Sequence, residues 1–183
     1  MIIHISGFTG SGKSTLGDKL RKKFKSKIVV KDTNEFIQPN TKEGKYLLSL
    51  DYSPSNRIIY KKLWKQTLKE KFAEFIESHP NKIIIFVGSL DSFSWEGEIY
   101  KISADHKIVL DICTEELYKR YYTRIAKNKN PNYWRCLIDG DCGIYGSRVL
   151  LHKLAEYNQW YKNNDYKFMT DVKIIELICR LVK

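Results

Sequence analysis

The sequence predicts an α/β protein in three layers, with helices on both faces of a five-stranded parallel sheet. Three observations carry this. Short β-branched apolar runs alternate with amphipathic helical patterns along the chain. Those runs are apolar nearly throughout, as strands covered on both faces are. A glycine-rich stretch also stands at the first strand-to-helix junction, where sheets of this kind bind ligands.

In chain order, "MIIHIS" is a short β-rich run closed by glycine and reads as the first strand. A helix follows from Ser14, with Leu16, Leu20 and Phe24 four apart and charges on its other faces. "KIVVK" (Lys27 to Lys31) is the second strand. The segment from Asp32 to Asn56 is irregular, broken by Pro39, Gly44 and Pro54. A long amphipathic helix is expected from about Asn56 to Ser78, carried by Ile59, Leu63, Leu68, Phe72, Phe75 and Ile76 and stopped by His79-Pro80-Asn81. "KIIIFVG" (Lys82 to Gly88) is apolar throughout and reads as the central strand. "HKIVLDIC" (His106 to Cys113) is the fourth strand, and Thr114 is expected to cap a helix running to about Ala126. After the loop "KNKNPNY" come a helix from Ser147 to Lys162, a fifth strand "YKFMT" (Tyr166 to Thr170) and a closing amphipathic helix.

Composition narrows the function classes. At 183 residues, with 43% apolar and 13% aromatic content, one domain with its own core is expected. No run approaches the roughly 20 apolar residues that cross a bilayer. "MIIHISG" lacks a charged n-region, so no secretory signal and no membrane partner are expected, and the setting reads as cytoplasmic. Cys113, Cys136, Cys142 and Cys179 form no CxxC pair and read as free thiols. The four histidines show no metal spacing. The net charge of +11 suggests nucleic acid, but 25 of the 32 basic residues are Lys in a chain rich in Ile, Asn and Tyr. That bias accompanies an AT-rich genome. The cluster "KLRKKFKSK" (Lys19 to Lys27) reads in the same spirit as the outer face of a surface helix.

The chemistry is in the glycine-rich stretch. Gly7-Phe8-Thr9-Gly10-Ser11-Gly12-Lys13-Ser14 satisfies G-x-x-x-x-G-K-[ST] without exception, after a strand and before a helix. Glycines let the backbone curl so that successive N–H groups, from Gly7 through Thr15, point into one concavity. The helix N-terminus adds unpaired donors and the positive end of its dipole. Lys13 can reach β- and γ-phosphate oxygens, and the Ser14 hydroxyl can ligate Mg²⁺. A nucleoside triphosphate, ATP, with Mg²⁺ is therefore the expected ligand.

With these residues the chain resembles the P-loop kinases of the nucleoside-monophosphate and shikimate kinase type, the resemblance covering the whole chain in element order. "MIIHISG", "GSGKSTLG", "VVKD" and "YKFMT" are also similar to P-loop kinase-like proteins of giant DNA viruses, which implies a host-cytoplasm setting. The resemblance implies a P-loop NTPase fold over 1–183, with an acceptor-binding insertion at about 33–80 and a lid at about 124–146. It sets Asp32 and Asn34 where shikimate-type kinases carry Asp-x-Asp, so Asp32 would hold a magnesium water or orient the acceptor hydroxyl. Asn34 breaks the pair, which weakens a polyol acceptor. Asp32 also reads as a cap after a strand. Gly88-Ser89 is similar to the glycine turn that admits substrate, and Asp91 is either a second strand-end carboxylate or a plain turn residue. Arg120 and Arg124, four apart on one helical face, match the Arg-x-x-x-Arg spacing at the lid entry of adenylate kinase-like enzymes. By that likeness Arg120 would stack on the adenine and Arg124 would touch the phosphates, with two solvated arginines as the alternative. Arg135 is a further lid candidate, and Arg57 would meet the acceptor's anionic group.

These readings converge on an ATP-dependent phosphotransferase whose acceptor is small, a nucleotide or nucleoside. Two other functions stay open. A polynucleotide 5′-end kinase is suggested by the charge and by Tyr, Trp and Lys in the 52–71 region, and a P-loop protein that binds nucleotide without transfer is suggested by Asn34. "NKNP" (Asn128 to Pro131) resembles a GTPase base-recognition motif, but Pro131 stands where Asp is needed.

Overall fold

The computed structural model describes residues 1–8, 10–36, 42, 45, 66, 67, 69–88, 103–127 and 147–183, with the backbone alone at 34, 124, 125, 147–150 and 153. Its strands are β1 (Ile2–Ser6), β2 (Ile28–Asp32), β3 (Ile83–Val87), β4 (His106–Leu110) and β5 (Lys167–Met169). All pair in parallel, in the order β2-β3-β1-β4-β5. The helices are α1 (Lys13–Phe24), α2 (described over 69–77), α3 (Thr114–Ala126), α4 (Ser147–Asn163) and α5 (Asp171–Leu181). The expected five-stranded parallel α/β architecture is present.

Three expectations are corrected. The apolar run at Lys82 to Gly88 forms an interior strand but not the middle one. β1 takes that place, pairing with β3 through Ile3↔Ile85 and with β4 through Ile5↔Ile108. Both strands are covered on both faces, so apolarity cannot tell them apart. The fourth strand stops at Leu110: its last ladder bond runs from Asp111 N–H to Met169 O, and the chain then turns into α3. Thr114 is the first helical residue of α3 and not its cap, because Leu117 N–H already bonds Cys113 O. Residues 56–65 and 68 of the long expected helix lie outside the described residues. The described part ends where Ser78 Oγ and His79 Nδ1 both bond the Phe75 carbonyl, at 2.9 and 2.8 Å.

Because successive strand residues face opposite sides, β1 divides two cores. Ile3 and Ile5 face α1 and α5, packing with Leu16, Leu20, Phe24, Ile174 and Ile178. Each such side chain contributes about 1.5–3 kcal/mol on burial, and the four-residue spacing of Leu16, Leu20 and Phe24 keeps all three on this face. The other face carries an aromatic layer. Phe86 packs on Phe72 and Phe36, with ring centroids 4.4 and 5.9 Å away, while Tyr157, Tyr161 and Tyr166 gather with Val109, Leu117 and Tyr121. No helix among the described residues is long and apolar enough to cross a membrane. Cys113 and Cys179 are free thiols, while Cys136 and Cys142 lie outside the described residues.

On this second face β1 presents two polar side chains, His4 and Ser6, both fully buried. Each finds a tyrosine: His4 Nδ1 pairs with Tyr166 Oη at 2.8 Å and Ser6 Oγ with Tyr161 Oη at 2.7 Å. Tyr161→Phe is expected to strand the Ser6 hydroxyl and cost about 1–3 kcal/mol. A thermal melt should fall by about 2–4 °C per kcal/mol, and adding Ser6→Ala should restore most of the loss. An unchanged melt in the single variant would refute the role of this bond.

Candidate functional site

β1 delivers its chain to the carboxyl edge of the sheet at Ser6, and α1 starts at Lys13. The six residues between them must turn the chain sharply. Gly10 and Gly12 do so with φ of 84° and 97°, a region that other residues enter at a cost. Ser11 N–H bonds Phe8 O at 3.1 Å and closes the turn. Gly12 caps α1 without any side-chain cap bond, and the first turn carries no acidic residue. The donors and dipole of that helix end are thus aimed at the loop, with no acidic residue in the first turn itself.

Lys13 folds its ammonium over the loop, donating to the carbonyls of Gly7 and Phe8 at 2.8 and 2.9 Å. Ser14 and Asp32, expected from the sequence to share a metal, are brought together: Ser14 Oγ donates to Asp32 Oδ2 at 2.9 Å. Asp32 ends β2, two strands from β1, so this contact joins the far side of the switch point to the loop. Thr15 is exposed in the first turn of α1. Ser11 Oγ is buried and has no hydrogen-bond partner among the described residues, an orphaned donor within the loop itself.

Arg120 also arrives at this loop. Its guanidinium donates through Nε to Glu116 at 2.6 Å and through a terminal nitrogen to Ser11 O at 3.2 Å. Two directions are therefore fixed, and the group lies beside Gly12, where a Cβ would stand 3.0 Å from it. A shallow groove of about 440 Å³ opens next to it, lined by Glu116, Lys119, Arg120, Thr123 and Lys127. On the flank of α3, Tyr118 and Tyr122 stack at 5.9 Å. Burial, and then the neighbouring Tyr118, holds the Tyr122 phenol above its ordinary range, so it stays neutral at physiological pH and acts by packing.

Thr9, Arg57, Asp91 and Arg135 lie outside the described residues, as do most of the 33–80 insertion and the 124–146 lid. Arg124 has its backbone in α3, while its side chain lies outside. Three contacts at the site escaped sequence reading. Glu116 was signalled by its i,i+4 spacing to Arg120. Thr33, buried against Gly88, and the buried His4, whose Nε2–H donates to Gly88 O at 3.0 Å, had no local signal.

The residues fit a phosphate chain and a magnesium ion. An orphaned hydroxyl, a helix N-terminus without a side-chain cap and an ammonium converge on the loop, and a hydroxyl and a carboxylate meet at its edge. Among the described residues no three His, Cys, Asp or Glu side chains gather as a metal cluster. The Ser14–Asp32 pair is of another kind, suited to Mg²⁺, which takes one or two protein oxygens together with phosphates and waters.

Comparison with solved structures agrees with this architecture. The chain is similar to shikimate kinase from Aquifex aeolicus (20% identity, 98% of this chain and 96% of that one, TM-score 0.56). It is also similar to thymidylate kinase from Ehrlichia chaffeensis (13%, 97% and 98%, 0.53) and to deoxyadenosine kinase from M. mycoides (20%, 100% and 98%, 0.54). At these identities the likeness establishes the fold, the α/β architecture those three P-loop kinases share. No family model matches the sequence, and neither does any curated protein.

Proposed function

We propose that this chain is an ATP-dependent kinase that transfers a γ-phosphoryl group to a small acceptor of the nucleoside or nucleotide class. The observation that carries the reading is the meeting of Ser14 Oγ and the Asp32 carboxylate beside Lys13 at the mouth of the loop. Phosphoryl transfer asks for charge neutralisation and in-line positioning more than for covalent chemistry, and these groups supply the first. The fold shared with shikimate, thymidylate and deoxyadenosine kinases supports the same reading.

In this reading the loop N–H groups and the first turn of α1 bind the β-phosphate. Lys13 exchanges its two carbonyl partners for β- and γ-oxygens, holding charge where it develops on the leaving side. Ser14 and Asp32 would hold Mg²⁺, which supplies charge neutralisation at the phosphates when bound. Asp32 stands at the end of β2, where it would also orient the incoming hydroxyl. Arg120, already fixed by Glu116 and Ser11, faces the groove along α3 and would cover the donor's base. Arg124, Arg57 and Asp91 remain assigned by resemblance: Arg124 to the phosphates, and Arg57 and Asp91 to the acceptor. A cytoplasmic setting goes with the reading, that of the host cell on the viral resemblance.

The test is transfer from γ-labelled ATP to a panel of nucleosides, nucleoside monophosphates and 5′-hydroxyl oligonucleotides. Label on a small acceptor supports the reading. Label on the oligonucleotide alone replaces it with a 5′-end kinase, and tight ATP binding with no transfer to anything replaces it with a nucleotide-binding protein. Asp32→Asn keeps the shape of the pair and removes its charge. The Mg²⁺ concentration for half-maximal rate is expected to rise about 10–100-fold, the usual cost of disturbing groups around a metal. An unchanged magnesium titration would remove Asp32 from the metal site.

A further inference from the structure

The amino edge of the sheet, opposite the loop, carries a charge pattern that composition does not explain. From Lys19 to Lys27 the chain holds six basic residues and no acid. The carboxylates nearby are taken by the upper part of α1: Asp171 pairs with Lys19, while Asp18 and Glu35 pair with Arg21. Lys22, Lys23, Lys25 and Lys27 are exposed and meet no carboxylate among the described residues. Lys82 joins them from the next strand. It precedes β3, whose Ile83 pairs with Ile28 of β2, and its Nζ donates to Ser26 O at 3.1 Å. The result is five exposed cations around one helix end and one three-residue turn.

The negative end of the α1 dipole accounts for Lys22 and Lys23, at about 0.3–1 kcal/mol each. It does not reach Lys25, Lys27 and Lys82 on the turn and strand edge beyond. An AT-rich genome explains why lysine is abundant, but not why the stretch from Lys19 to Lys27 carries six cations and no acid. Like charges this close repel within the Debye length of about 8 Å, so the arrangement is one that an added polyanion would relieve.

We infer that this edge, formed by Lys22, Lys23, Lys25, Lys27 and Lys82, docks the phosphate backbone of a nucleic acid, separately from the loop site. α1 is 12 residues long and spans about 18 Å, so a strand held here sits a helix length from Lys13. The edge therefore tethers nucleic acid without presenting its end for phosphorylation. An anionic membrane fits less well. The apolar face of α1 is buried in the core, which leaves no amphipathic surface to lie in an interface.

The experiment is fluorescence anisotropy of a labelled single-stranded oligonucleotide with the full chain, between 50 and 200 mM KCl, alongside sedimentation with phosphatidylserine vesicles. Five phosphate contacts give a log–log salt slope of about −3.5, an affinity loss of about 100-fold across that range. The quadruple variant Lys22→Glu, Lys23→Glu, Lys25→Glu, Lys27→Glu should abolish binding, and the matching Gln variant, which adds no new charge, should weaken it. Lys13→Ala and saturating ATP should leave binding unchanged, so loss of transfer activity and loss of docking are read independently. Displacement by ATP, a slope flatter than about −1, or full binding by the Gln variant would overturn the inference. So would vesicle binding without oligonucleotide binding.

Discussion

Lys13→Ala is expected to lower kcat/KM for ATP-dependent transfer by about 10³-fold or more. Removal of a single donor aimed at developing charge costs about 10²–10³ in kcat, and Lys13 carries a full charge and also contributes to ground-state binding. The variant should still fold. Lys13 is part-buried, and its bonds to the Gly7 and Phe8 carbonyls, made by a charged group, are worth about 1.5–3 kcal/mol each. Lost transfer at a temperature well below the variant's own melt separates chemistry from stability. Lys13→Met, which keeps most of the stem, should behave like the alanine variant, since the charge is what matters. Transfer retained within tenfold in both variants would mean that the phosphates are held elsewhere and would remove the loop from the reaction.

The loop was legible because its requirement is local. Positive φ at Gly10 and Gly12, a lysine on the first helical residue and a hydroxyl next to it all fall within one short stretch of sequence. The strands were legible for a similar reason: Ile83–Val87 and Ile2–Ser6 are runs that only a covered sheet accommodates. What the sequence left open depends on contacts far apart in the chain. Which of two apolar strands is the middle one is decided by how the connections cross, and neither run encodes it. The Ser14–Asp32 contact joins residues 18 apart and was reachable only by likeness to other kinases. Arg120 meets Ser11 across 109 residues, a bond that its spacing to Arg124 could not reveal and that makes it part of the loop's wall. The buried His4 and Ser6 read as strand residues of no consequence until Tyr161 and Tyr166 are seen opposite them.

Gly88→Ala is expected to remove a large share of the stability of the fold, about 4 kcal/mol from strain and overpacking together. Gly88 ends β3 with φ of 149°, its N–H bonded to Ile5 O at 3.0 Å and its carbonyl accepting from His4. Both bonds fix its backbone, so it cannot rotate to suit a side chain. A Cβ there would overlap Thr33 Oγ1 and stand 2.9 Å from Thr33 Cβ. Thr33 is 1% exposed and opens the turn that follows Asp32, so it has nowhere to retreat. Against a total stability of about 5–15 kcal/mol, the melt should drop by roughly 8–16 °C. Thr33→Gly removes the overlapping atoms and leaves the φ strain, so the double variant should recover about 1–3 kcal/mol, read as a coupling energy in a double-mutant cycle. Any molecules of the single variant that fold must shift Thr33 and with it Asp32. On the kinase reading their magnesium requirement should rise even where ATP binding persists. A melt within about 2 °C of the parent, less than 1 kcal/mol on this scale, would show that Gly88 and Thr33 do not lock the β2 and β3 ends together.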